Sequence, residues 1–116
     1  MSISHSIEDD IAIVSYRGKF TGENVIELKE YVNGILEKKK TTAFLLNLDE
    51  VVKIDSSALG IIISIFKDLH GRQIGFAICQ APQMIHDILV STRLDRIMKI
   101  FPTQTEALEE FQINPF

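Results

Sequence analysis

A mixed α/β fold on a mostly parallel sheet of four to five strands is what the hydrophobic patterning of the chain predicts. Short apolar runs alternate with longer stretches whose apolar residues recur at helical spacing. The run Leu45-Leu46-Asn47-Leu48 is apolar enough for a strand covered on both faces, as strands of parallel sheets are. One exception is expected at the start. Glu8-Asp9-Asp10 supplies turn chemistry between two strand-like segments close enough to form an antiparallel hairpin. The expected order is β-β-α-β-α-β-α-β-α, with four helices and right-handed crossovers after the hairpin.

In order, Ser2 to Ser6 alternates weakly, as a short edge strand would, and Ile11 to Tyr16 forms the second strand. Gly18 to Gly22 reads as a loop, with Thr21 a candidate N-cap. From Asn24 the residues Val25, Leu28, Val32, Ile35 and Leu36 follow helical spacing, and Lys38-Lys39-Lys40 closes that helix at its negative end. Thr42 to Leu48 is the central strand and Asp49 to Ile54 a loop. In the following helix Ala58, Ile61, Ile62, Ile65, Phe66 and Leu69 share one face at about 100° per residue. His70-Gly71 ends it, with Gly71 as the left-handed residue. Ile74 to Cys79 is a further strand. Pro82 opens a helix whose buried face is Met84, Ile85, Ile88 and Leu89. Ile97 to Phe101 is the last strand, and Thr103-Gln104-Thr105-Glu106 has capping-box spacing before a terminal helix.

The stretch Ile54-Asp55-Ser56-Ser57-Ala58-Leu59-Gly60 stands where a loop enters the most apolar helix. Asp and Ser are the residue types that accept hydrogen bonds from the unpaired N–H groups of a first turn. Those groups, with the positive end of the helix dipole, also suit a phosphoryl group on an exposed serine. Ile63 lies outside the apolar stripe, close to the direction of Ser56, and Gly60 and Lys67 complete that second face. The pattern suggests a small partner-binding patch; equally, Ile63 could pack under a neighbouring loop.

Composition narrows the functional classes. The chain has 116 residues, 46% of them hydrophobic, enough for one domain (1–116) with a core and too apolar for a disordered chain. A net charge of −4 and a pI near 5.3 argue against nucleic-acid binding, which needs a basic face. The lone Cys79, in an apolar run, fits a buried thiol in a reducing cytosol. No secretion signal and no membrane-spanning run is present, so a cytoplasmic location without membrane association is expected. No metal-ligand spacing, phosphate loop or nucleophile elbow occurs, and no catalytic residue, metal or cofactor is expected. His5, His86 and His70 lie near the N-terminus, in a later helix and at the far end of the Ser56 helix. His70 is too far along the helix to activate Ser56 as a nucleophile.

The chain resembles the STAS-domain anti-sigma factor antagonists of bacteria over nearly its whole length. The resemblance rests on Gly18, on Leu46-Asn47-Leu48 followed by Ile54-Asp55-Ser56-Ser57-Ala58-Leu59-Gly60, on Pro82, on Leu94-Asp95 and on Glu106-Ala107-Leu108. It implies a cytoplasmic regulator of transcription that is no enzyme. Such a protein binds an anti-sigma factor that is also a serine kinase, and phosphorylation at the position of Ser56 releases it. A metal-dependent serine/threonine phosphatase resets it. Ser57 is a second candidate acceptor, and a monomer or weak dimer is expected.

Three positions depart from the family's usual pattern. Ala58 stands where glycine is common. Arg93 stands where glycine often precedes Leu-Asp, and costs roughly 1 kcal/mol or more if that position needs positive φ. Thr21 stands where better-known members carry an aspartate, in a loop near the phosphorylated serine, and so bears on kinase recognition. Other roles of the same fold are a scaffold subunit of stress-signalling complexes and a cytosolic accessory subunit of transporters.

Overall fold

The computed structural model describes residues 2–116. Strands β1 (Ser2–Glu8) and β2 (Ile11–Phe20) form the expected antiparallel hairpin, in unbroken register from Glu8↔Ile11 to Ser2↔Arg17. The turn is Asp9-Asp10, with φ of 51° and 64°. Two successive positive-φ residues match the right-handed twist of the flanking strands, and Asp tolerates that region better than most side chains.

β2 serves two parallel partners in turn. Ile11–Ser15 pairs with β3 (Ala43–Asn47), and Gly18–Phe20 pairs with β4 (Val51–Ile54). The register shifts between Gly18 and Lys19, and Gly18 has φ 100°. Glycine is needed at this bulge, which re-aims the strand toward its second partner. Two sequence expectations are corrected here. Gly18 to Gly22 is strand as far as Phe20, and the predicted loop Asp49–Ile54 contains β4. The sheet therefore has six strands, ordered β1-β2-β3-β5-β6 with β4 beside β2. β5 (Gly75–Cys79) and β6 (Lys99–Phe101) complete it, both parallel to β3.

A 3₁₀ turn at Gly22–Val25 leads into α1 (Ile26–Lys38), followed by α2 (Ser56–Gly71), α3 (Gln83–Ser91) and α4 (Gln104–Ile113). Alternate strand residues divide between two apolar clusters. Ala12, Val14, Tyr16, Phe44, Leu46 and Ile78 pack under α1, α2 and α3, against Leu28, Val32, Ile62, Ile65, Leu69 and Leu89. On the other face Ile13, Leu45, Ala77 and Cys79 meet Ala107 and Phe111 of α4. α4 has the predicted N-cap: the Thr103 hydroxyl accepts the Glu106 N–H at 3.1 Å.

The structure corrects three local expectations and answers a fourth. Gly71 is still helical, and the left-handed residue is Gln73 at φ 59°; the Ile74 N–H returns to the Leu69 carbonyl at 2.9 Å. Met84 is 73% exposed. Ile85, Ile88 and Leu89 span a narrow arc of α3, and Met84 falls about 40° beyond it. The predicted strand Ile97–Phe101 starts only at Lys99, after a 3₁₀ turn at Leu94–Arg96. Arg93 does adopt positive φ, at 65°. A close approach fixes Gly75: a Cβ there would lie 1.7 Å from the Pro115 carbonyl oxygen. Beyond it Phe116 stacks on His70, which stacks on Phe66, at centroid distances of 5.0 and 5.4 Å.

Candidate functional site

The site is built at the opening of α2, where β4 ends. Asp55 is the N-cap in extended conformation, φ −130° and ψ −175°. Its Oδ1 accepts the Ala58 N–H at 3.0 Å. Its Oδ2 accepts the Gly22 N–H, also at 3.0 Å, from the turn that follows β2. One carboxylate thus ties two segments distant in sequence. The Ala58 hydrogen bond is the largest influence holding the Asp55 carboxyl below the ordinary carboxylate range, helped by the Gly22 and Ser57 amides and the Lys53 charge, while partial desolvation opposes it.

Ser56 is the first residue of α2 and is exposed; Ser57 is exposed beside it. Among the first-turn amides, Ala58 donates to Asp55 and Ser57 helps hold its charge. The chain's own carboxylate therefore occupies part of the anion seat at this helix start, and a group added at Ser56 lies next to a negative charge.

Ser56, Gly60, Ile63 and Lys67 fall within about 60° on the surface of α2. Gly60 and Lys67 are exposed, and a Cβ on Gly60 would meet nothing within 4 Å, so the stripe is notched at its middle. Ile63 is half-buried, with one side against the core cluster and the other open. Next to the stripe Lys29 of α1 donates to the Ser64 hydroxyl, bracing α2 against α1. Thr21 is half-buried at the N-cap of the 3₁₀ turn, and its side chain makes no capping bond. The Gly22–Asp55 bond places it beside the mouth of α2. The geometry thus gathers Thr21, Asp55, Ser56 and Ser57 at one end of the stripe, with Gly60, Ile63 and Lys67 running away from it.

Sequence reasoning missed Gly22, whose positive φ of 60° turns its N–H toward Asp55; a Thr-Gly pair after a strand was the available signal. It also missed Val52 of β4, 68% exposed, because the segment read as loop. Among the described residues no three His, Cys, Asp or Glu side chains converge to hold a metal ion, and no helix is long and apolar enough to cross a membrane.

Comparison with known proteins finds relatives over nearly the whole chain. The STAS domain family model matches residues 2–107. A protein of Thermotoga neapolitana named "Putative anti-sigma factor antagonist TM1081 homolog" is 34% identical over 108 residues, covering 93% of this chain and 96% of the relative. The crystal structure of its Thermotoga maritima counterpart superposes with a TM-score of 0.87 at 32% identity, covering 95% of this chain and 94% of that one. The Bacillus cell fate determinant SpoIIAA, in its phosphorylated form, superposes with a TM-score of 0.71 at 13% identity, covering 94% of this chain and 98% of its own, a likeness of fold.

Proposed function

The chain belongs to the STAS domain family, and on that premise we propose that it is an anti-sigma factor antagonist that binds its partner through the mouth of α2 and is released by phosphorylation of Ser56. Antagonists of this family are regulatory binding proteins and not enzymes. The partner is an anti-sigma factor with serine kinase activity, a serine/threonine phosphatase reverses the modification, and the exchange takes place in the cytoplasm of a bacterium. Ser57 is the second candidate acceptor.

The observation that supports this reading is an exposed Ser56 at the first position of α2, flanked by a carboxylate that accepts the Ala58 amide of the same turn. A phosphoryl group adds about −1.5 to −2 charges and three strong acceptors. With Asp55 already on the Ala58 amide, that charge depends in the free protein largely on water. A partner closing over the site would strip the water away and leave the anion beside a fixed carboxylate, at a cost larger than a neutral hydroxyl's hydrogen bond returns. Release then requires no refolding.

The test is titration calorimetry of the chain against the anti-sigma factor recovered with it by affinity capture and mass spectrometry. Ser56→Ala should bind as the parent does and resist phosphorylation by the partner. Ser56→Asp, carrying part of the added charge, should bind at least tenfold more weakly. Equal affinity of Ser56→Asp and the parent would refute the switch.

A further inference from the structure

The two edges of the main sheet path are treated differently. β6 is three residues long and carries Lys99, and shortness and an edge lysine are both devices that discourage further pairing. β1 has neither protection. It runs seven residues, Ser-Ile-Ser-His-Ser-Ile-Glu, without proline, lysine or bulge, and its register with β2 is unbroken. All of it is exposed except Ile3, and among the described residues no strand pairs with its outer side.

The hairpin decides which backbone groups face outward. Glu8 and Ile11 flank a two-residue turn and so form a hydrogen-bonded pair, after which bonded and non-bonded pairs alternate. Ser2, Ser4, Ser6 and Glu8 therefore bond to β2. Ile3, His5 and Ile7 turn their N–H and C=O groups to the open edge. The His5 ring is held against α1, its Nδ1 2.6 Å from the Tyr31 hydroxyl and the rings edge to face at 5.4 Å.

We infer that β1 is a homodimerisation edge, pairing antiparallel with β1 of a second copy about a two-fold axis at His5. In that register Ile3 pairs with Ile7 of the second copy, His5 with His5, and Ile7 with Ile3. Each outward residue offers one donor and one acceptor, so the outward groups of Ile3, His5 and Ile7 in both copies are satisfied, in six bonds. Within residues 2–8, any shift of register leaves some of them unpaired. The side chains agree with it as well. Ser4 lies opposite Ser6 of the second copy, and Glu8 opposite Ser2, so no two carboxylates face each other across the strands, and the one identical pair is His5 with His5. Ile7, 36% exposed in one copy, meets Ile3 at the rim of the shallow depression lined by Ser2, Ile3, Glu27, Glu30 and Tyr31. The mouth of α2 lies on other elements and takes no part in the pairing.

A single strand pair is a small interface, so association belongs between roughly 10 μM and 1 mM. Sedimentation equilibrium over that range should show a concentration-dependent dimer. Amide exchange should slow with concentration at Ile3, His5 and Ile7, while Ser4 and Ser6 stay protected throughout. His5→Pro removes an outward donor and leaves the β1–β2 ladder intact, and it should abolish the dimer. Ile7→Lys, which puts charge at the apolar pair, should weaken it at least tenfold and serves if His5→Pro fails to fold. A chain that stays monomeric to 1 mM, a folded His5→Pro that still dimerises, or a dimer without slowed exchange at these three amides overturns the assignment.

Discussion

Replacing Arg93 with glycine is expected to stabilise the fold. Arg93 follows the cap of α3 at φ 65° and ψ 22°, in the left-handed region. Its backbone is fixed on both sides: its N–H donates to the Val90 carbonyl at 3.0 Å, and its own carbonyl accepts the Arg96 N–H at 3.1 Å. An L side chain there costs roughly 1–2 kcal/mol, because Cβ crowds the following carbonyl. Glycine removes that cost and adds roughly 0.5–1 kcal/mol of unfolded-chain entropy. The net gain is about 0.5–1 kcal/mol. The guanidinium is exposed and belongs to none of the ion pairs seen among the described residues, so its loss subtracts little. For a chain of 116 residues the gain corresponds to a rise in Tm of about 2–4 °C. Differential scanning calorimetry and urea unfolding at constant m-value measure it. Arg93→Ala is the control, since it removes the same charge and keeps the backbone cost. A glycine variant no more stable than the alanine one refutes the backbone argument.

Three further outcomes follow from the site and the core. The folded-state pKa of Asp55 lies below its ordinary 3.8, so its contribution to stability is complete above that value and is lost as pH falls through the lower folded value; Asp55→Asn should flatten the acid limb of a stability–pH curve below about pH 4, and an unchanged limb would count against the cap. Burial pushes the Cys79 thiol up to about 12, with the Asp49 charge adding to it, so at pH 8 it should react with a disulfide reagent on the order of a thousandfold more slowly than a free thiol until the chain unfolds. Fast labelling of the native protein would contradict this. Ile63→Glu should weaken partner binding at least tenfold with a Tm loss below about 4 °C; a collapse of Tm would assign Ile63 to the core instead.

The central features of this fold follow from pattern alone. Leu45, Leu46 and Leu48 announced a strand covered on both faces, the spacing of Ala58, Ile62, Ile65 and Leu69 defined the buried side of α2, and Thr103 with Glu106 marked a real cap. What escaped depends on partners distant in sequence. Val51 to Ile54 is too short to declare itself, and becomes a strand because the bulge at Gly18 frees the end of β2 to receive it. Gly71 looked like the helix stop, yet the reversal falls on Gln73, where a side chain is tolerated because Ile74 must reach back to Leu69. Within the site, the exposure of Ser56 was legible from Asp-Ser-Ser before an apolar helix. The second bond of Asp55 was not, because nothing local in the sequence says where its other oxygen turns.

That divided carboxylate has a mechanical consequence. With one oxygen committed to each segment, the Gly22 turn and the start of α2 cannot slide past one another without breaking a charged hydrogen bond. Gly22 and Ala58, one from each segment, hang on the same side chain, so a displacement of either strains the hold on the other.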